Sequence, residues 1–377
     1  MKQVQLYEDA IALLQSLIAT PSFSKEEDKT AELIGRFLQD RKVDVHRSGN
    51  NIWALNKSFD PAKPTLLLNS HHDTVKPNPQ YTRDPFLPMV EDGKLYGLGS
   101  NDAGGPLVSL IAAFLHFYAQ ADSPWNIVLA ATAEEEISGL NGIEALLKAP
   151  EFLGATAQGG HPYPNWSAIV GEPTQMQMAV AEKGLLVLDC TAHGKSGHAA
   201  REEGINAIYK AMDDINWFRY FRFPKESATL GPVKMNVTVI QTENKAHNVV
   251  PATCLFTVDI RVTDAYTHEE VLDIVKQYVS AEVKPRSMRM RASGISMEHP
   301  LVAAGLSMDK SCYGSPTCSD KALMPFQALK IGPGDSARSH TADEFIYLSE
   351  IENGISEYIE LISRTIKTRP EIHPFTH

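Results

Sequence analysis

Two histidines and a set of carboxylates each stand just past a short apolar run. His71 and Asp73 follow TLLLNS, Asp102 lies in GLGSND, and Glu134, Glu135 and Glu136 follow NIVLAATA. Glu172 follows SAIVG, and His340 closes GDSARSH. With no adjacent lysine to neutralise them, such groups suit a site for divalent metal, because imidazole and carboxylate are the ligands that borderline and hard cations accept. The reaction class they point to is metal-assisted hydrolysis. His71 and Asp73 lie two apart, so in extended backbone their side chains project to the same side. A carboxylate placed there can accept the other ring N–H of a metal-bound histidine. His72 points the other way and reads as a structural histidine.

These groups need elements to carry them. Apolar positions at Leu6, Ile11, Leu14, Leu17 and Ile18 predict a helix over 5–19 that stops before Pro21. Ser24 and Glu27 read as a capping box opening the next helix. VDVH, NIWALN, TLLLN, NIVLAAT and SAIVG read as strands; residues 106–119 and IEALLK read as helices. This alternation predicts an α/β domain with a largely parallel central sheet flanked by helices, in which functional groups gather at the carboxyl ends of strands. After Glu172 the texture changes to longer strands with helices near 203–217 and 267–281, the pattern of a small α+β domain. From about 287 the chain returns to the first domain and ends in a helix over 348–366. The expected division is therefore 1–175, 176–286 and 287–377, the middle part inserted into the outer two.

At 377 residues, with 43% hydrophobic and 21% charged, the chain has the length for two domains and ordinary globular composition. A net charge of −11 without a basic run argues against nucleic acid as a partner. The amino-terminal stretch lacks the basic start, unbroken apolar core and cleavage site of a signal peptide, and no apolar run has the length of a membrane span. Cys190, Cys254, Cys312 and Cys318 form no CxxC. They are expected as reduced thiols of a cytoplasmic enzyme.

Together the motifs resemble the M20 family of di-zinc amidohydrolases, the group of acetylornithine deacetylase, succinyl-diaminopimelate desuccinylase and related exopeptidases. HHDTV at 71–75, GLGSNDAGG at 97–105, TAEEEISG at 132–139, GEPT at 171–174, GKSGHAA at 194–200 and GPGDSARSHTADE at 332–344 stand in family order. The resemblance implies two zinc ions, with cobalt or manganese as possible substitutes, that share Asp102. His71 and Glu172 would complete one site, Glu136 and His340 the other. It implies Glu135 as general base, Asp73 as the partner of His71, and Glu134 as a loop residue. It makes the middle domain a lid and dimerisation domain, with His198 donating to the oxyanion and Arg261 and Asn248 holding the substrate. Where the family commonly reads Asp-Met-Lys-Gly-Gly, this chain reads Asp102-Ala103-Gly104-Gly105. The lysine is no ligand in the family pattern, so hydrolysis is expected to survive its loss. The expected reaction is hydrolysis of an N-acetyl- or N-succinyl-ornithine or citrulline of arginine biosynthesis by a homodimer. A dipeptidase or aminoacylase, or desuccinylation of diaminopimelate, is the alternative; a non-catalytic small-molecule binding protein is a remote one.

Overall fold

Seven consecutive buried residues, Thr65–His71, make the strand on which the fold is organised. Strand alternation sends Leu66 and Leu68 to one face and Leu67 to the other. Leu66 and Leu68 join a core with Leu14, Ile34, Phe114 and Ile355, and Leu67 joins Trp53, Phe152 and Val128. Covered on both faces, the strand is apolar through Leu66–Leu68, and its buried polar residues are hydrogen-bonded: Asn69 donates to Thr132 Oγ1 at 2.9 Å and Ser70 to Gly171 O at 2.8 Å. The computed structural model describes residues 3–157, 163–201 and 203–367.

The larger sheet has nine strands among the described residues, in the order His46–Ser48, Asn51–Leu55, Asn126–Thr132, Thr65–His71, Trp166–Val170, Gln327–Lys330, Met178–Glu182 and Ser293–Gly294, with Cys312–Ser315 also paired to Met178–Glu182. Thr65–His71 pairs in parallel with both neighbours, and Gln327–Lys330 is parallel to Trp166–Val170. Four central strands thus end at one edge. Helices Gln3–Ile18, Asp28–Asp40, Gly105–Phe117 and Leu348–Thr365 supply the core on one face; Ile143–Lys148 and Pro150–Thr156 cover the other. The fold is the α/β class expected.

The chain divides into two compact units, one of Met1–Val180, Gly294–Tyr313 and Ser319–His377, the other of Ala181–Ser293 and Gly314–Cys318. The chain crosses between the two units after Val180, Ser293, Tyr313 and Cys318. The smaller unit has a four-stranded antiparallel sheet, ordered Lys234–Gln241, Thr253–Val262, Gly184–His193 and Glu282–Pro285. Strict alternation of burial along Gly184–His193 marks a sheet covered on one face, by helices Ala207–Tyr220 and His268–Tyr278.

Three local expectations need correction. The Ser24–Glu27 capping box does not form: Glu27 is itself the N-cap, and the Ser24 hydroxyl donates to Asp73 Oδ2 at 2.7 Å, a charged acceptor. A capping box does form at Thr267 and Glu270. The first strand starts at His46, after VDV. The helix expected from 203 starts at Ala207, because the Asn206 side chain accepts from Ile208 N at 2.9 Å and caps it there.

Candidate metal centre

Because parallel strands end together, the first polar residues beyond them meet. His71 is the last residue of its strand and registers with Thr132; Glu135 and Glu136 follow Thr132 by three and four residues, and Glu172 follows Val170 by two. Asp102 and His340 arrive from loops. The Asp102 turn runs through Gly99 at φ 73°, where a side chain would strike Thr74 Cγ2 at 2.6 Å. His340 sits at φ 59°.

Asp102 stands between the two histidines. His71 Nε2 lies 3.4 Å from Asp102 Oδ1, 3.9 Å from Glu135 Oε2 and 4.0 Å from Glu172 Oε1. His340 Nε2 lies 3.0 Å from Glu136 Oε2 and 3.8 Å from Asp102 Oδ2. Two groups gather ligand atoms within 4.8 Å of one another: His71 with Asp102 and Glu136, and His71 with Glu135 and Glu172. All six expected residues of this cluster lie in the larger unit.

His71 Nδ1 lies 2.9 Å from the Asp73 main-chain carbonyl and 3.5 Å from its carboxylate, so Asp73 meets the ring through both groups. The carboxylate also accepts Glu135 N at 3.0 Å and Glu136 N at 3.2 Å, besides Ser24. It grips the turn that presents both glutamates. His71 Nδ1 faces the Asp73 carbonyl while Nε2 faces the carboxylates, and the buried Nε2 has no hydrogen-bond partner. Glu134, at φ 57°, accepts from Asn141 N and Nδ2 and so shapes the loop. His72 turns away, to Thr30 Oγ1 and Asn50 O at 2.9 Å each.

Four carboxylates facing two imidazoles are short of positive charge, and protonation follows suit. Burial works against a charged His71, but Asp102, Asp73, Glu135 and Glu172 hold its pKa well above the usual imidazole value. The hydrogen bond to Glu136 lifts His340 to about 9. Burial pushes Glu135 well up; His71 opposes this, and Glu172, Asp320 and Glu136 add to it. Burial also acts to raise Asp102, yet His71, Ser339 and His340 hold it below the normal range. Nitrogen and oxygen donors, one of them the partnerless Nε2 of His71, fit a divalent cation of the zinc, cobalt or manganese kind, which would displace the imidazole protons.

Two residues with no role in the sequence reading join the cluster. Buried Asp320 accepts from Thr132 Oγ1 at 2.8 Å and is pushed to about 6 by burial, with Thr132 opposing. Glu344, four residues after His340, accepts three main-chain N–H groups of the Asp102 turn. Burial, then Asp102, push it up to about 8 against those donors. Its only signal in the sequence is its place at the end of the last motif.

The remaining expected residues lie in the smaller unit. His198 is exposed and pairs with Val249 in a two-residue strand, its Nδ1 accepting from Ala200 N at 3.2 Å. Asn248 is exposed, and its carbonyl accepts from Ala199 N at 2.9 Å. Arg261 forms a bidentate pair with Asp259, at 2.8 and 3.0 Å.

Residues 67–364 match the model of peptidase family M20/M25/M40. The chain belongs to this family. It is 27% identical over 288 residues to succinyl-diaminopimelate desuccinylase 2 of Ruegeria sp., covering 72% of this chain and 70% of that protein. It is 30% identical over 276 residues to a succinyl-diaminopimelate desuccinylase of Cereibacter sphaeroides, covering 69% of each. Among solved structures, an M20 metallo-carboxypeptidase from Sulfolobus solfataricus superposes with a TM-score of 0.75 at 16% identity, over 95% of this chain and 99% of that one. A dinuclear metal binding M20 peptidase from Bacillus subtilis gives 0.67 at 13%, over 96% and 98%. M20 membership makes this chain a hydrolase. Among the described residues no helix is long and apolar enough to cross a membrane.

Proposed function

We propose that this M20 hydrolase cleaves the amide bond of a small N-acyl amino acid with two divalent cations, zinc in the first instance. The observation that carries this reading is the orientation of Asp102, whose two oxygens face different histidines, Oδ1 toward His71 and Oδ2 toward His340. His71 and Glu172 would hold one ion, Glu136 and His340 the other, and Asp102 both. Bound ions would supply Lewis acidity at the acyl oxygen and acidify a water. Glu135 takes a proton from the attacking water and returns it to the departing nitrogen as the C–N bond breaks, leaving a carboxylate and a free amine. His198 donates to the oxyanion, while Asn248 and Arg261 hold the substrate's carboxylate, for which Arg261 must exchange Asp259.

The named relatives move the substrate away from the N-acyl ornithines and citrullines of arginine biosynthesis. N-succinyl-diaminopimelate, the substrate in the names of both desuccinylases, comes first. We also place two copies together through the smaller unit, whose edge strand exposes Val239 and Ile240, and the reaction in the cytoplasm, which suits four free cysteines.

The test is Glu135→Ala in zinc-loaded protein, assayed on N-succinyl-diaminopimelate, N-acetylornithine, N-acetylcitrulline, N-succinylcitrulline and dipeptides. Metal content should stay at the wild-type level while the rate on the preferred substrate drops at least ~10²-fold. A variant that keeps its rate removes Glu135 as base. Wild-type protein that holds zinc yet turns over nothing in the panel sinks the amidohydrolase reading.

A further inference from the structure

We infer that Glu344 is a positioning residue that sets the metal-binding geometry, by locking the Asp102 turn onto the segment that carries His340. The inference rests on the metal-holding reading of Asp102 and His340 above. Glu344 is 2% exposed, and both its oxygens are committed. Oε2 accepts Gly99 N at 3.0 Å; Oε1 accepts Asn101 N at 2.8 Å and Asp102 N at 2.9 Å. Its own carbonyl accepts Gly97 N at 3.0 Å, so the residue holds the turn from Gly97 to Asp102 at four points. A second lock runs the other way: buried Asn101 accepts Asp335 N at 2.9 Å and donates to Asp335 O at 3.0 Å. Segments about 240 residues apart in sequence are thereby joined on both sides of the ligands they carry.

A carboxyl group is what this job requires. Three converging N–H donors need an acceptor with lone pairs on both oxygens, which a carboxyl offers and an amide does not. Glutamine has the same size, but whichever way its amide turns, its NH2 faces N–H donors, and the turn loses a contact at one end. An outer-shell partner of this kind typically contributes 10–100-fold to metal affinity. Asp102 faces both histidines, so a shift of its turn acts on both candidate ion sites.

The experiment uses full-length Glu344→Gln, titrated with Co²⁺ and Zn²⁺ against a chromophoric chelator. The expected result is ~10–100-fold weaker binding together with an altered visible absorption of the Co²⁺ form. A merely structural role would lower the unfolding midpoint of the metal-free protein and leave affinity and spectrum unchanged; that result overturns the inference. Amide hydrogen exchange in metal-free wild-type protein tests it without any variant. The N–H groups of Gly99, Asn101 and Asp102 should be protected, and free exchange at all three overturns it, including when Glu344→Gln does not fold. Wild-type protein that binds no Co²⁺ or Zn²⁺ refutes the metal-holding reading itself. Wild-type binding with an unperturbed variant refutes only the role of Glu344.

Discussion

At His340 a proton occupies the place proposed for a cation. The Glu136 hydrogen bond, with Glu136 and Asp102 nearby, lifts its pKa to about 9, so the metal-free imidazole is charged at neutral pH. A cation needs the neutral ring and must displace that proton. Metal affinity should therefore rise with pH and lose this dependence above about 9, which a zinc competition titration at a series of pH values would measure. An affinity independent of pH would remove His340 from the ligand set. The same shift has the opposite sign for the metal-free fold. Its stabilising contribution is complete below the unfolded value of about 6.5 and is lost as the pH climbs through about 9. The residue types of the cluster were legible in the sequence because metal chemistry admits few of them. Glu344 and Asp320 were not, nor was the hold of the Asp73 carboxylate on the turn that carries Glu135 and Glu136. Each acts by meeting main-chain N–H groups or a hydroxyl from distant segments, and nothing local distinguishes such a carboxylate from a solvated one.

Among the elements, strands were easier to read than the turns between them. TLLLN and NIVLAAT are continuous apolar runs because both faces of their strands are covered, and such runs end where the sheet ends. Helix ends depended on distant partners. The helix expected to reach 281 stops at Tyr278, because Asp214 takes Ser280 N and Ala281 N at 2.9 Å each. The turn after Asn126–Thr132 is another such case, since its shape rests on Asp73 across the sheet edge. Asp73→Ala should leave the Glu135 and Glu136 N–H groups bare, at a cost of about 1–3 kcal/mol each where they stay dry. Urea unfolding of the metal-free protein would register that loss, and hydrolysis should fall with it because both glutamates lose their fixed direction. A variant as stable and as active as the wild type would show that the turn holds its shape unaided.

At the scale of the whole molecule, the two units have separate cores and separate candidate roles. The cluster of Leu188, Phe218, Phe256, Ile260 and Val275 closes over the smaller unit's own sheet, and the metal-ligand candidates all lie in the larger. Val180 O accepts Ile295 N at 2.9 Å, so the main chain leaves the larger unit and returns to it at neighbouring points. Replacing residues 183–292 with a short glycine linker keeps Met178–Glu182 and Ser293–Gly294, the strands of the larger sheet at the crossing. The shortened protein should fold cooperatively and bind zinc with wild-type stoichiometry, since Glu344, Asp73 and the six clustered residues remain. Its hydrolysis of the substrate preferred by the full chain should fall at least ~10²-fold, the usual cost of losing one oxyanion donor, because His198, Asn248 and Arg261 go with the excised segment. Metal content and turnover measured on the same preparation separate the two roles. Retained turnover would remove those three residues from the reaction. Loss of zinc along with turnover would instead make the metal centre depend on the smaller unit.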